Sequence, residues 1–220
     1  CSYSIVSGGQ ILTKKLCFPE GVTIIERHEI VSSYILPQIK SIESSDKWLP
    51  SFMWLRMYKR EVITKEFFIN ERMVYQEDLA SALTTYKKCN CIVVTNIPLY
   101  YYCINPGSLT LCYRENGWDM MYNLFTIIEQ QTENLTNSQI YIRKKGFLLN
   151  AILFALRNAS IKGFDEFRKV LKKIVSTEKV KSLFKETSLR KLHGQHKILA
   201  ICFLLHITPL LYIYYKRSIR

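Results

Sequence analysis

A chain of 220 residues, 25.9 kDa, with 48% apolar and 22% charged residues, can bury a sizeable core as one large domain or two small ones, which excludes a disordered tail. Its net charge of +13 is unevenly spread: up to Thr110 there are 12 Lys and Arg against 10 Asp and Glu, and beyond it 19 against 8. A basic excess confined to the second half points to an anionic partner for that half, nucleic acid or the acidic face of a membrane, or else to solvated helix faces.

In chain order, the short apolar runs of Cys1 to Phe18, broken at Gly8-Gly9, predict two strands around a turn. Between Val22 and Ile42, Ile30, Val31, Tyr34 and Ile35 recur at helical spacing, predicting a helix that Pro37 interrupts or bends; SIESSDKWLPS then reads as a loop. FMWLRMYKREV, Phe52 to Val62, sets Trp54, Leu55, Tyr58 and Val62 at near-helical intervals with Arg56, Lys59 and Arg60 on other faces, which predicts a short amphipathic helix. From Glu77, the residues Leu79, Ala82, Leu83 and Tyr86 fit a helix laid on a core, with Glu77 and Asp78 in its first turn. CIVVTNIPLYYYCI predicts two strands around Asn96 and Pro98, and NPGS a tight turn at Asn105 to Ser108.

Beyond Arg114 the pattern turns helical: Trp118 to Gln131, Gln139 to Asn158, Phe164 to Ser176, Glu178 to Leu189 and a last apolar stretch. The seven cysteines (1, 17, 89, 91, 103, 112 and 202) are odd in number and scattered, which fits reduced thiols in a cytosolic protein rather than a disulfide framework. Cys89 and Cys91 would share one face of a strand, as small buried hydrophobes or as a metal pair.

Two acidic residues at a helix start have a plain explanation, since they complement the helix dipole by about 0.3–1 kcal/mol. Their context is more specific. An aromatic and basic segment with Trp54 and Tyr58-Lys59-Arg60 is followed by Phe68, then Glu77-Asp78, then PLYYYCINPGSLT. In this order and spacing, Trp48 to Thr110 resembles the second half of the family 2 glycosyltransferases, where a W..lyrr segment precedes an E-D pair and a later lY.Y....S segment.

What the resemblance implies is a GT-A fold and an inverting transfer, in which an acceptor sugar hydroxyl attacks the anomeric carbon of a nucleotide-activated sugar. Asp78 then matches the base that takes the hydroxyl proton. Glu77 supports it by position or by the local field, because adjacent carboxylates push their proton affinities apart. A helix N-terminus weakens a base unless burial or a like-charged neighbour offsets it. Trp54 stacks on a sugar face in the acceptor site or packs in the core. Tyr58 and Arg60 are packing or phosphate contacts. Ser108 bonds donor or acceptor, although turn chemistry accounts for Asn105, Pro106 and Gly107 without a ligand.

The family's nucleotide-binding β-α-β half and its metal-holding D-x-D motif are missing, and Asp46 is the one Asp before the pair. The expectation is therefore that this chain, beginning at Cys1, is the C-terminal part of a longer enzyme. Alone it would be inactive, with the ligands for Mg²⁺ or Mn²⁺ lying outside it. The expected fold class is α/β: a partial GT-A half with the acceptor side over residues 1–113, then a basic all-helical tail over 114–220.

In that tail the 18 residues from Ile198 to Tyr215 carry no formal charge and are flanked by Lys197, Lys216 and Arg217. A spanning helix needs about 20 apolar residues, and His206, Thr208 and Pro209 weaken this one. The expectation is a helix lying on the anionic cytoplasmic face of the membrane, with a core helix or a true span as alternatives. The expected partners are a nucleotide-sugar donor and a saccharide or lipid-linked acceptor, as in bacterial surface polysaccharide synthesis. Nucleic acid is not expected, because the aromatic and aliphatic residues of FRKVLKKIV are committed to a core. From another class stands a non-catalytic membrane-surface adaptor, in which Glu77 and Asp78 only cap a helix.

Overall fold

Strands β1 (Ser2–Ser7) and β2 (Gln10–Lys14) pair antiparallel with Ser7 opposite Gln10, the hairpin expected around Gly8-Gly9. The computed structural model describes residues 1–7, 10–14, 21–41, 48–104, 113–135, 138–187, 192, 194–204 and 208–217, so that turn lies outside the described residues. β3 (Val22–Glu26) pairs antiparallel with β4 (Cys91–Thr95), and β5 (Pro98–Cys103) runs parallel to β1 on the side away from β2. The fold is mixed α/β, with two small sheets and a helical C-terminal region.

Two expected helices do not form. In the Val22 to Ile42 stretch, the β-branched run Val22–Glu26 is strand β3, and the helical spacing survives only in a π turn, Ile30–Ile35, and a 3₁₀ turn, Leu36–Gln38. Extended β-branched residues pack well on a half-buried pleat, and here Ile25 and Val94 point inward while Ile24 and Val93 stay exposed. The Phe52 to Val62 segment is also no amphipathic helix. It makes two 3₁₀ turns, Met53–Leu55 and Arg60–Val62, with extended backbone between them at Arg56 and Lys59.

Helix α1 (Glu77–Thr85) begins at the predicted residue and buries Leu79, Ala80, Ala82 and Leu83. Helix α2 (Gly117–Gln131) leads into α3 (Ser138–Lys162), about 37 Å long at 1.5 Å per residue. Phe147, Leu149, Ile152, Leu156 and Ala159 of α3 are all 3% exposed or less, so this helix is the axis of the helical region. Its Arg143 donates to the carbonyl of Ile39 at 2.8 Å, which ties the axis to the N-terminal turns. One buried cluster joins Leu83 of α1, Leu124 of α2 and Ile152 of α3.

Helices α4 (Phe164–Ser176) and α5 (Glu178–Glu186) follow. The last apolar run is then two helices, α6 (Gly194–Leu204) and α7 (Thr208–Arg217). Each turns one face inward: Leu199 and Cys202 from α6, Leu211 and Tyr215 from α7. Phe203 stacks on Phe184 of α5 at 4.1 Å between centroids, and Tyr212 meets the edges of Phe164 and Phe167 at 5.2 and 5.4 Å. No helix among the described residues is long and apolar enough to cross a membrane.

Candidate active site

The carboxylate pair sits where the N-terminal turns meet α1. The residue before the helix, Gln76, has φ 62° and ψ 52°, a left-handed conformation that a residue with a Cβ adopts at a cost, and its side chain makes no cap. The next residue back, Tyr75, is pinned by its N–H donating to the Met120 carbonyl of α2 at 3.3 Å. The chain therefore enters α1 through a strained, tethered corner.

Adjacent helical residues point about 100° apart, and Glu77 and Asp78 have different surroundings. The carboxylate of Asp78 faces the Met53–Leu55 turn and lies near the Met53 N–H and the Arg56 guanidinium, both of which favour its ionised form. Arg56 spans this corner: Nη2 donates to Gln38 Oε1 and, at 3.4 Å, to the Pro50 carbonyl, while Nη1 reaches the Tyr58 hydroxyl and the Asp78 carbonyl, each at 3.5 Å. Its guanidinium also lies 5.6 Å from the Tyr34 ring centre, within cation–π range.

Despite the N–H and the guanidinium, burial wins and holds the Asp78 carboxyl above its ordinary pKa. Burial likewise raises Glu77. Its own backbone N–H opposes that rise, Asp78 and Glu71 add like-charge repulsion, and Arg114 lowers it again. The offset to the helix N-terminus is therefore mainly loss of solvent.

Trp54 belongs to the same turn as Met53, so one short segment sends a backbone N–H to Asp78 and an indole ring to the sheet. That ring is half-buried and lies near-parallel to Phe52, Tyr100 and Tyr102, with centroids at 4.9, 4.3 and 5.4 Å, and meets Tyr3 edge-on at 5.2 Å. Tyr58 packs edge-on against Phe67 at 4.9 Å, and burial raises its phenol. Arg60 is exposed on the second 3₁₀ turn. Ser108 lies outside the described residues.

The structure thus joins Asp78 and Tyr58 around Arg56, with Glu77 next to Asp78 on α1 but turned toward Arg114, and with the Trp54 ring directed to the sheet. Arg56, expected on a different face of a helix, is instead that corner's central cation, and Gln38 and the Met53 N–H join it. The amphipathic pattern hid Arg56, and a backbone N–H leaves no mark in a sequence.

A divalent cation does not fit here, since the groups facing Asp78 are an N–H donor and a guanidinium, and the nearby Gln38 and Pro50 oxygens already accept from Arg56. Among the described residues no group of three or more His, Cys, Asp or Glu side chains is placed to hold a metal. Cys89 lies in extended backbone two residues ahead of the start of β4, half-buried with its thiol directed to the Thr85 carbonyl at 3.7 Å, while Cys91 begins the strand and is exposed. No protein-family model, no curated protein and no solved structure matches the chain.

Proposed function

We propose that this chain carries the acceptor side and the catalytic base of an inverting glycosyltransferase of the family 2, GT-A type. One observation carries the reading: Asp78, raised by burial, faces the same short turn, Met53–Leu55, that presents Trp54. A carboxylate kept from full solvation holds a proton more tightly than an exposed one, which suits general-base work.

In the proposed reaction the acceptor hydroxyl donates its proton to the Asp78 carboxylate as its oxygen attacks the anomeric carbon. The bond from that carbon to the donor's phosphate oxygen breaks, the nucleotide leaves and the centre inverts. The Met53 N–H and the Arg56 guanidinium both favour the ionised form of the carboxylate and oppose the rise caused by burial. Glu77 and Arg114 set the field beside it. Trp54, supported by Tyr100 and Tyr102, forms with them an aromatic wall for the acceptor sugar, with Tyr58 bracing Arg56 and Arg60 free to meet a donor phosphate. The acceptor is a saccharide or a lipid-linked saccharide of a bacterial surface polysaccharide, and the nucleotide-sugar donor and its Mg²⁺ or Mn²⁺ are held elsewhere in the complete enzyme.

Peripheral attachment to the inner face of the cell membrane completes the proposal. It is supported by Leu210 and Ile213, 54% and 48% exposed on α7 close to Lys216 and Arg217.

The test is Asp78→Asn in the complete protein, read as nucleotide release from a panel of nucleotide sugars with a polysaccharide acceptor. The rate is expected to fall by about 10²–10⁴-fold with circular dichroism unchanged. An unaffected rate would leave the pair as a helix cap in a non-catalytic membrane-surface adaptor.

A further inference from the structure

Helices α4, α5, α6 and α7 enclose an open cavity of about 460 Å³, within the size range of small-ligand sites. None of its lining residues belongs to the carboxylate corner. Its floor is apolar: Leu171 and Val175 of α4, Phe203 of α6 and Leu211 of α7. Leu211 is only 1% exposed, and the other three are half-buried.

The rim has a single sign. Arg168 and Lys172 of α4 and Lys181 of α5 line it, all exposed, and no carboxylate is among the described lining residues. Arg168, Leu171, Lys172 and Val175 follow the i, i+3, i+4, i+7 spacing of one helix stripe, so cations and apolar floor belong to the same face of α4. Lys181 is paired with Glu178 at 2.5 Å. Arg168 and Lys172 have no ion-pair partner among the described residues. Two like charges four residues apart on one helix repel, and a bound anion removes that repulsion.

A neutral apolar ligand would leave the cations unused, and a bare anion would leave the apolar floor wet. Only a molecule with both parts satisfies the recess. We infer that this cavity binds a single-chain anionic amphiphile, with its phosphate or carboxylate headgroup on Arg168 and Lys172 and its hydrocarbon tail over Leu171, Val175, Phe203 and Leu211. The inference is independent of the proposed glycosyl transfer.

Calorimetry on the full chain, with octyl phosphate kept below its critical micelle concentration, tests it. Octyl phosphate is expected to bind at one site, and inorganic phosphate and octyl glucoside about tenfold or more weakly. Arg168→Gln with Lys172→Gln removes the rim charges at exposed positions, and Val175→Trp fills the floor without changing charge. Each should weaken octyl phosphate about tenfold, whereas Lys169→Gln with Lys185→Gln, a charge-matched control outside the recess, should leave it nearly unchanged.

Equal binding of inorganic phosphate would reduce the site to a surface anion patch. Equal binding of octyl glucoside would reduce it to a greasy recess, and an equal loss in the control would reduce it to a diffuse field. Binding to phosphatidylglycerol vesicles without binding to monomeric octyl phosphate would make this face a membrane-docking surface. Each of these outcomes overturns the inference.

Discussion

At the scale of single residues, the carboxylate corner is poised at the expense of the fold. A group whose folded-state pKa lies above its unfolded value holds protons more tightly when folded. Its stabilising contribution is full below the unfolded pKa and is lost as the pH rises through the folded one. Asp78 and Glu77 are both raised by burial, so at pH 7 each side chain weighs against folding. Asp78→Asn and Glu77→Gln are therefore expected to stabilise the chain at pH 7 by a few tenths to about 1 kcal/mol, a gain kept small by the solvent that still reaches both groups. Urea melts should show that gain vanish at a pH below the ordinary carboxylate range. Acids that merely capped the helix would give the opposite sign, a loss of about 0.3–1 kcal/mol at neutral pH.

At the scale of elements, α1 was legible because four apolar residues and two first-turn acids agree over the ten positions from Glu77 to Tyr86, and α2 to α5 for the same reason of sustained periodicity. The Phe52 to Val62 stretch was not, because its near-helical spacing competes with long-range partners: Arg56 is drawn to Gln38 and the Asp78 carbonyl, and the Asp78 carboxylate faces the Met53–Leu55 turn. A short pattern loses to such contacts, and the site was legible only for the side chains that a motif named. The junction before α2 shows another device no periodicity reveals. The Asn158 side chain of α3 accepts the Arg114 N–H at 2.9 Å and donates to the Arg114 carbonyl at 2.6 Å. A Cβ placed on Gly117 would lie 2.8 Å from that same amide nitrogen. Asn158→Ala is expected to cost about 1–3 kcal/mol by leaving both backbone groups unpaired. Gly117→Ala should also destabilise, although alanine is the better helix former by about 1 kcal/mol. Thermal denaturation of the two variants measures both.

At the scale of the whole molecule, the mixed α/β character and the helical second half followed from the switch in apolar period near Arg114. The fate of the last apolar run did not, because composition alone cannot distinguish a helix packed on α3 from one laid on lipid. Its inner residues are in the core, and Ile201, Leu210 and Ile213 are its exposed large apolar residues among the described ones. Leu210→Ser with Ile213→Ser should lower co-sedimentation with phosphatidylglycerol vesicles several-fold and leave the melting temperature within about 2 °C. The same fold that packs this tail also closes the corner at Asp78, since segments around residues 38, 53 and 78 converge there only when the chain is folded. That convergence is the centre of the account, and an NMR titration of the Asp78 side-chain carboxyl carbon probes it directly. A midpoint above the ordinary aspartate value, moving down when the chain is unfolded in urea, is the predicted result. A midpoint at or below that value in the folded chain would contradict it and make Asp78 an ordinary capping acid.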